Sequence, residues 1–285
     1  MVILHELTGA KLGAIINGLD IACGVTADQV IELRNLLHAH RLLVFPQQKV
    51  QDRNLVDFAI RFGPPFVAPP DSPVLGGDDG MPPEIVIIGN KANEYSKSYL
   101  GHQEVLPHSD HQWLRCPSSA SLLYAVEVPS DPVSTTWINL IKAYEDLDQD
   151  VKKTIEGLRL VTYNPFFRPF GSVVASYVNR SEGVPPGPVY SHPLVRTHPE
   201  SGDKILYLNC SYEVEVEGMP YRDGQALISM LREHLLNPHY QYEHRWRNGD
   251  IVFWDNQCTL HFRVAFDPSI RCVLKRVSLG GSRPF

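Results

Sequence analysis

No stretch of the chain approaches the roughly 18 consecutive apolar residues that a membrane-spanning helix needs, so no transmembrane segment is expected. Residues 1–9 lack a basic start followed by a long apolar run, which argues against a secretory signal. Positive charge is not in excess either. Lys plus Arg number 26 against 32 Asp plus Glu, a formal charge of −6, so neither nucleic acid nor an anionic membrane is called for as a partner. Cysteine is sparse: Cys23, Cys116, Cys210, Cys258 and Cys272 are odd in number and scattered, which fits reduced thiols in a cytoplasm better than a disulfide framework. There is no internal repeat and no linker that would split the chain, so residues 1–285 are expected to form one domain. Its 43% apolar and 20% charged content suits a large core rather than disorder.

The pattern along the chain is β-rich with flanking helices. Thr26 can cap a helix in which Val30, Leu33, Leu36 and Leu37 recur at helical spacing. Residues 50–62 read as a second helix stopped by Gly63-Pro64-Pro65, and 140–147, 148–158 and 221–236 as three more. Apolar runs at 42–45, 84–89, 118–128, 160–163, 204–208, 251–254 and 272–279 read as strands.

Two fragments carry chemistry. His108-Ser109-Asp110 places an imidazole and a carboxylate two apart; on an extended segment they point the same way while Ser109 faces the other. Far downstream, Asp250 to Asn256 reads as a strand running into a turn just before His261. Two imidazoles and one carboxylate are the donor set of the facial triad that holds non-haem Fe(II) and leaves three positions open. His111, adjacent to Asp110, is expected to point away from it, and His102, His192 and His198 read as loop histidines without a catalytic role. An arginine shortly after the third ligand, Arg271 or Arg276, could grip a dicarboxylate through its two-pronged guanidinium.

Taken in order, Leu12 to Asp20, Arg41 to Phe45, Phe58 to Pro64, His108-Ser109-Asp110, Thr135-Thr136-Trp137, Ala143-Tyr144-Glu145, His192 to Pro199, Gly202 to Asn209 and Gly249 to His261 resemble the taurine and chlorophenoxyacetate dioxygenases, Fe(II)- and 2-oxoglutarate-dependent enzymes. The resemblance implies a double-stranded β-helix, a cupin-like jelly roll, with iron at its mouth. It implies His108, Asp110 and His261 as the metal ligands and catalytic centre, with Fe(II), 2-oxoglutarate and O2 as cofactor and co-substrates. A threonine 27 residues beyond the first ligand helps hold the distal carboxylate in this family, and that position is Thr135. The family's two arginines stand 11 and 15 residues beyond the second histidine; here those positions are Cys272 and Arg276, with Arg271 one residue early. A shift of one flips a strand side chain to the other face. Either a bulge turns Arg271 towards 2-oxoglutarate and Arg276 faces substrate, or Arg276 grips 2-oxoglutarate alone.

The reaction implied is hydroxylation of an unactivated C–H bond of a small to medium organic metabolite, with release of succinate and CO2. The carboxylate of Asp110 argues against halogenation, which in this chemistry needs a small residue there. Desaturation, cyclisation and epimerisation begin with the same hydrogen abstraction and stay open, as does homo-oligomerisation. A non-catalytic jelly-roll binding protein would have lost the ligands, and a zinc hydrolase has no use for Thr135 or the strand arginine. Residues 101–107 lack the Asn and Trp expected of a taurine enzyme, whereas the segment 163–190, read as a lid inserted in the domain, carries Phe166, Phe167 and Phe170. A larger, partly apolar substrate from specialised metabolism is expected there, with an anionic group facing Arg276.

Overall fold

The computed structural model describes residues 3–6, 12–69, 72, 74, 76–77, 80–90, 97–129, 133–166 and 190–285. Two sheets dominate it. The larger has eight strands in the order Ile3–Glu6, Ala14–Asn17, Leu42–Phe45, Ile251–Asp255, Ala120–Glu127, Cys272–Leu279, Ile85–Asn90 and Tyr99–Leu100. The smaller has four, ordered Gln241–Arg245, Ser134–Asn139, Thr259–Arg263 and Val105–His108. Nearly every pairing is antiparallel and links distant segments, which is the jelly-roll form of a β-sandwich.

Burial explains which runs became strands. Leu42–Phe45 and Ile251–Asp255 are buried at every position because both faces of the large sheet are covered. One face takes the helices Ala27–His40 and Asp52–Ala59, whose Leu33, Leu37, Leu55 and Phe58 pack against Leu43, Phe45 and Phe253. The other faces the small sheet, where Trp137 packs among Leu123, Val252, Trp254 and Leu274. Helices Leu140–Glu145, Gln149–Ile155 and Tyr221–Leu235 share a further core with short strands around Leu160, Leu206 and Val214.

The capping expectation at Thr26 is met. Its hydroxyl accepts from the Gln29 amide and the Gln29 side chain accepts from the Thr26 amide, and the helix ends at Arg41 in the left-handed region at φ 67°. All five cysteines are free thiols. No helix among the described residues is long and apolar enough to cross a membrane.

Candidate active site

The small sheet brings the two distant histidines together. Val105–His108 and Thr259–Arg263 pair antiparallel with His108 opposite His261, and the ring centroids lie 4.2 Å apart. Asp110 arrives by a different route from the alternation expected of an extended segment. The strand ends at His108, and Ser109-Asp110 enters a turn held from outside by Asn256. The Asn256 amide oxygen accepts from the Asp110 N–H at 2.9 Å, and its amide nitrogen donates to the Asp110 and Ser118 carbonyls, each at 2.9 Å. The Ser109 hydroxyl turns to the same Asn256, donating to its carbonyl at 2.7 Å. His111 has a positive φ of 62° and lines the same cavity as His108 and Asp110; its ring stacks on Phe66 at 3.8 Å and its Nδ1 lies 3.0 Å from Ser118 Oγ.

His108, Asp110 and His261 are all buried, and one potential ligand atom from each lies within 4.8 Å of the others. Nε2 of His108 and of His261 stand 3.7 and 4.0 Å from Asp110 Oδ1, too far to hydrogen-bond. Three buried donor atoms thus face one point without satisfying one another. The His108 ring is oriented by its Nδ1–H, which donates to the Leu106 carbonyl at 2.8 Å and leaves Nε2 free. Packing orients His261 instead, with Trp137 nearly parallel at 6.4 Å and Trp254 tilted at 5.0 Å.

Electrostatics suit a cation. Burial pushes His261 down to about 3, reinforced by His108, and burial also lowers His108. Burial acts upward on Asp110, but the Arg276 guanidinium foremost and then the imidazoles outweigh it and hold the carboxyl well below its usual range. Neutral imidazoles and an ionised carboxylate need shed no proton to bind Fe(II) at neutral pH, so this set fits the metal.

A cavity of about 210 Å³ lies over His108 and Asp110, walled by Tyr99, Trp113, Phe166 and Tyr212. A smaller one, about 40 Å³, is lined by Thr135, His261, Arg263 and Arg276 and shares His108 and Arg276 with the first. Thr135 is buried, and its hydroxyl oxygen accepts from Trp246 Nε1 at 2.9 Å, leaving its own proton to donate. Arg276 projects inward, with Nη1 donating to Asp110 Oδ1 at 3.0 Å. Arg271 does not reach the site. It precedes the Cys272–Leu279 strand and pairs with Glu127 at 2.7 Å, and the register shift at Val273/Leu274 does not turn it inward. The role in holding 2-oxoglutarate therefore loses Arg271 as a candidate, because the parity of the strand puts Cys272, Leu274 and Arg276 on the inner face. Phe166 lines the larger cavity and meets Trp113 edge-on at 5.6 Å; Phe167 and Phe170 lie outside the described residues.

Two histidines read as loop residues are buried elsewhere. His192 sits on the Tyr190–Pro193 strand with Nε2 donating to the Leu114 carbonyl, and His198 bonds Asp255 at 2.8 Å. Trp113, Tyr212, Asn256 and Arg263 are site residues with no local signal in the sequence beyond the proximity of Trp113 to Asp110 and of Asn256 and Arg263 to His261. Asn256→Ala would strand a buried N–H and two carbonyls. The expected cost is about 2–4 kcal/mol of stability, read by denaturant unfolding, with weaker metal binding in titration because Asp110 loses its tether. Unchanged stability and metal affinity would refute the tether.

Comparison with known proteins agrees with this geometry. Residues 5–278 match the model of the taurine catabolism dioxygenase TauD, TfdA family. An alpha-ketoglutarate-dependent 2,4-dichlorophenoxyacetate dioxygenase of Cupriavidus pinatubonensis is 30% identical over 96% of this chain and 95% of its own. The crystal structure of a taurine dioxygenase from Burkholderia xenovorans superposes with a TM-score of 0.80 at 30% identity, covering 99% of this chain and 90% of that one. The structure of AAD-2 in complex with Mn(II) and N-oxalylglycine gives 0.77 at 25% identity, covering 100% and 99%. Jelly roll and relatives together define a dioxygenase that uses Fe(II), 2-oxoglutarate and O2. The chain belongs to the TauD/TfdA family.

Proposed function

We propose that His108, Asp110 and His261 hold Fe(II), that Thr135 and Arg276 bind 2-oxoglutarate, and that the aromatic-walled cavity takes a partly apolar organic molecule about one substituted ring in size. The observation that supports this reading best is the convergence of three buried, deprotonated donor atoms beside the cavity walled by Trp113, Phe166 and Tyr212. When bound, Fe(II) lets 2-oxoglutarate and O2 oxidise a C–H bond, giving R–OH, succinate and CO2 from R–H, 2-oxoglutarate and O2. The protein's own part is placement. Leu106 and Asn256 fix the ligand side chains, Arg276 keeps Asp110 ionised, and Trp137 with Trp254 excludes water behind His261. A carboxylate ligand at 110 disfavours halogenation; hydroxylation would register as gain of one oxygen, and desaturation or ring closure as loss of two hydrogens. The lid expected over residues 163–190 falls largely outside the described residues, and the free cysteines support a reducing, cytoplasmic setting.

Taurine fits poorly. Much of the cavity wall is aromatic or aliphatic, and residues 101–107 lack an Asn or Trp to meet a sulfonate. Incubating the Fe(II)-loaded protein with 2-oxoglutarate, O2 and a metabolite extract should yield a product heavier by one oxygen. Its formation should depend strictly on both co-substrates, and taurine should release no coupled succinate. Trp113→Ala and Phe166→Ala should each raise KM for the substrate found. Tight coupling to taurine, or full activity in both variants, would sink the substrate assignment.

A further inference from the structure

Arg263 ends the Thr259–Arg263 strand two residues beyond His261, so both side chains take the same face and point into the sandwich. It is 6% exposed, yet among the described residues none of its contacts is with a carboxylate. One guanidinium nitrogen, Nη2, donates to the carbonyls of Leu100, Gly101 and Gln103 at 3.0, 2.9 and 2.7 Å, and the group lies over the Phe266 ring at 4.9 Å. Its Nε is buried with no partner. A buried cation without a counter-charge is costly, and carbonyl dipoles offset that only in part. The cavity Arg263 lines is the one that holds Thr135, His261 and Arg276.

Cys272 adds a second observation. Its side chain is fully buried on the inner face of the opposite sheet, in the cluster against which Phe266, the ring under the Arg263 guanidinium, packs. This is the position where relatives were expected to carry an arginine. A short side chain there leaves room for a guanidinium arriving from across the sandwich. Two residues of strand span about 7 Å, on the scale of a five-carbon diacid whose keto end sits at His261.

We infer that Arg263, delivered from the small sheet into the space left by Cys272, is the cation that takes the carboxylate of 2-oxoglutarate farther from the metal, with Thr135 as its hydroxyl partner. Arg276 then serves the end nearer Asp110. The inference rests on the reading that this site binds 2-oxoglutarate, and the test separates the two.

Calorimetry on Mn(II)-loaded protein compares 2-oxoglutarate with 2-oxopentanoate, which keeps the chelating keto acid but ends in a methyl group. Wild type should prefer 2-oxoglutarate. Arg263→Gln should weaken 2-oxoglutarate by about 30-fold or more, leave 2-oxopentanoate little changed and so erase the preference. Adding Cys272→Arg to Arg263→Gln returns a guanidinium to the same space and should recover part of it. Equal losses for both ligands would mean that Arg263 only clamps residues 100–103, and an undiminished preference would equally overturn the proposal. Should Arg263→Gln fail to fold, Arg263→Lys, which keeps the charge but loses the two-pronged geometry, must still narrow the preference. Wild type that binds neither keto acid would strike the 2-oxoglutarate site itself rather than the part assigned to Arg263.

Discussion

Alanine at His108, Asp110 or His261 should abolish turnover while the far-ultraviolet circular dichroism keeps its β-rich form. Each side chain offers one of three buried ligand atoms within 4.8 Å of one another, and removing any one breaks the three-ligand facial set. The charge-transfer band that 2-oxoglutarate produces on Fe(II) should vanish with activity. Asp110→Ala differs from the other two in a second readout. It leaves the Arg276 guanidinium, whose side chain is 11% exposed, without its anion. The metal-free variant should therefore lose on the order of 3 kcal/mol in unfolding free energy, whereas Asp110→Asn, which keeps an acceptor oxygen, should lose less. A variant at any of the three positions that turned over at the wild-type rate would remove that residue from the triad.

The second large effect is expected at Arg276. Its Nη1 lies 3.0 Å from Asp110 Oδ1, and the side chain lines both cavities. Replacing it with alanine leaves a buried carboxylate short of its partner, costing on the order of 2–5 kcal/mol, or about 30- to several-thousand-fold in 2-oxoglutarate affinity. Arg271→Ala serves as the internal comparison. Its pair with Glu127 is partly exposed, 31% and 50%, so its loss should cost less than about 1 kcal/mol and leave the Michaelis constant for 2-oxoglutarate near the wild-type value. Measuring that constant in both variants decides the assignment; a larger defect in Arg271→Ala would overturn it.

Local signals were read well where a single segment carried them. The Thr26 cap and the Leu33/Leu37 spacing located the first helix, and the apolar run Cys272–Leu279 located its strand to the residue. Parity along that strand left Arg271 and Arg276 both open, because a bulge could have turned Arg271 inward; the structure turns Arg276 to Asp110 and Arg271 to Glu127. Short strands were missed: Ser134–Asn139, Gln241–Arg245 and Thr259–Arg263 mix polar and charged residues. Their pairing comes from partners more than a hundred residues away rather than from any period of their own. Asp110 shows the same limit. Extended alternation predicted its direction, yet the chain has already turned by residue 110, and the carboxylate is aimed by Asn256 from the far side of the sandwich.

By itself the sequence determined the donor set, the class of chemistry it implies and the order of the elements, because ligand identity and local periodicity are written in neighbouring residues. Only the tertiary structure decided that His108 stands opposite His261, that Arg263 shares a small cavity with Thr135, and that His198 is spent on Asp255. Those pairings depend on register between distant strands and on which groups burial leaves unpartnered, and neither quantity exists until the two sheets close on each other.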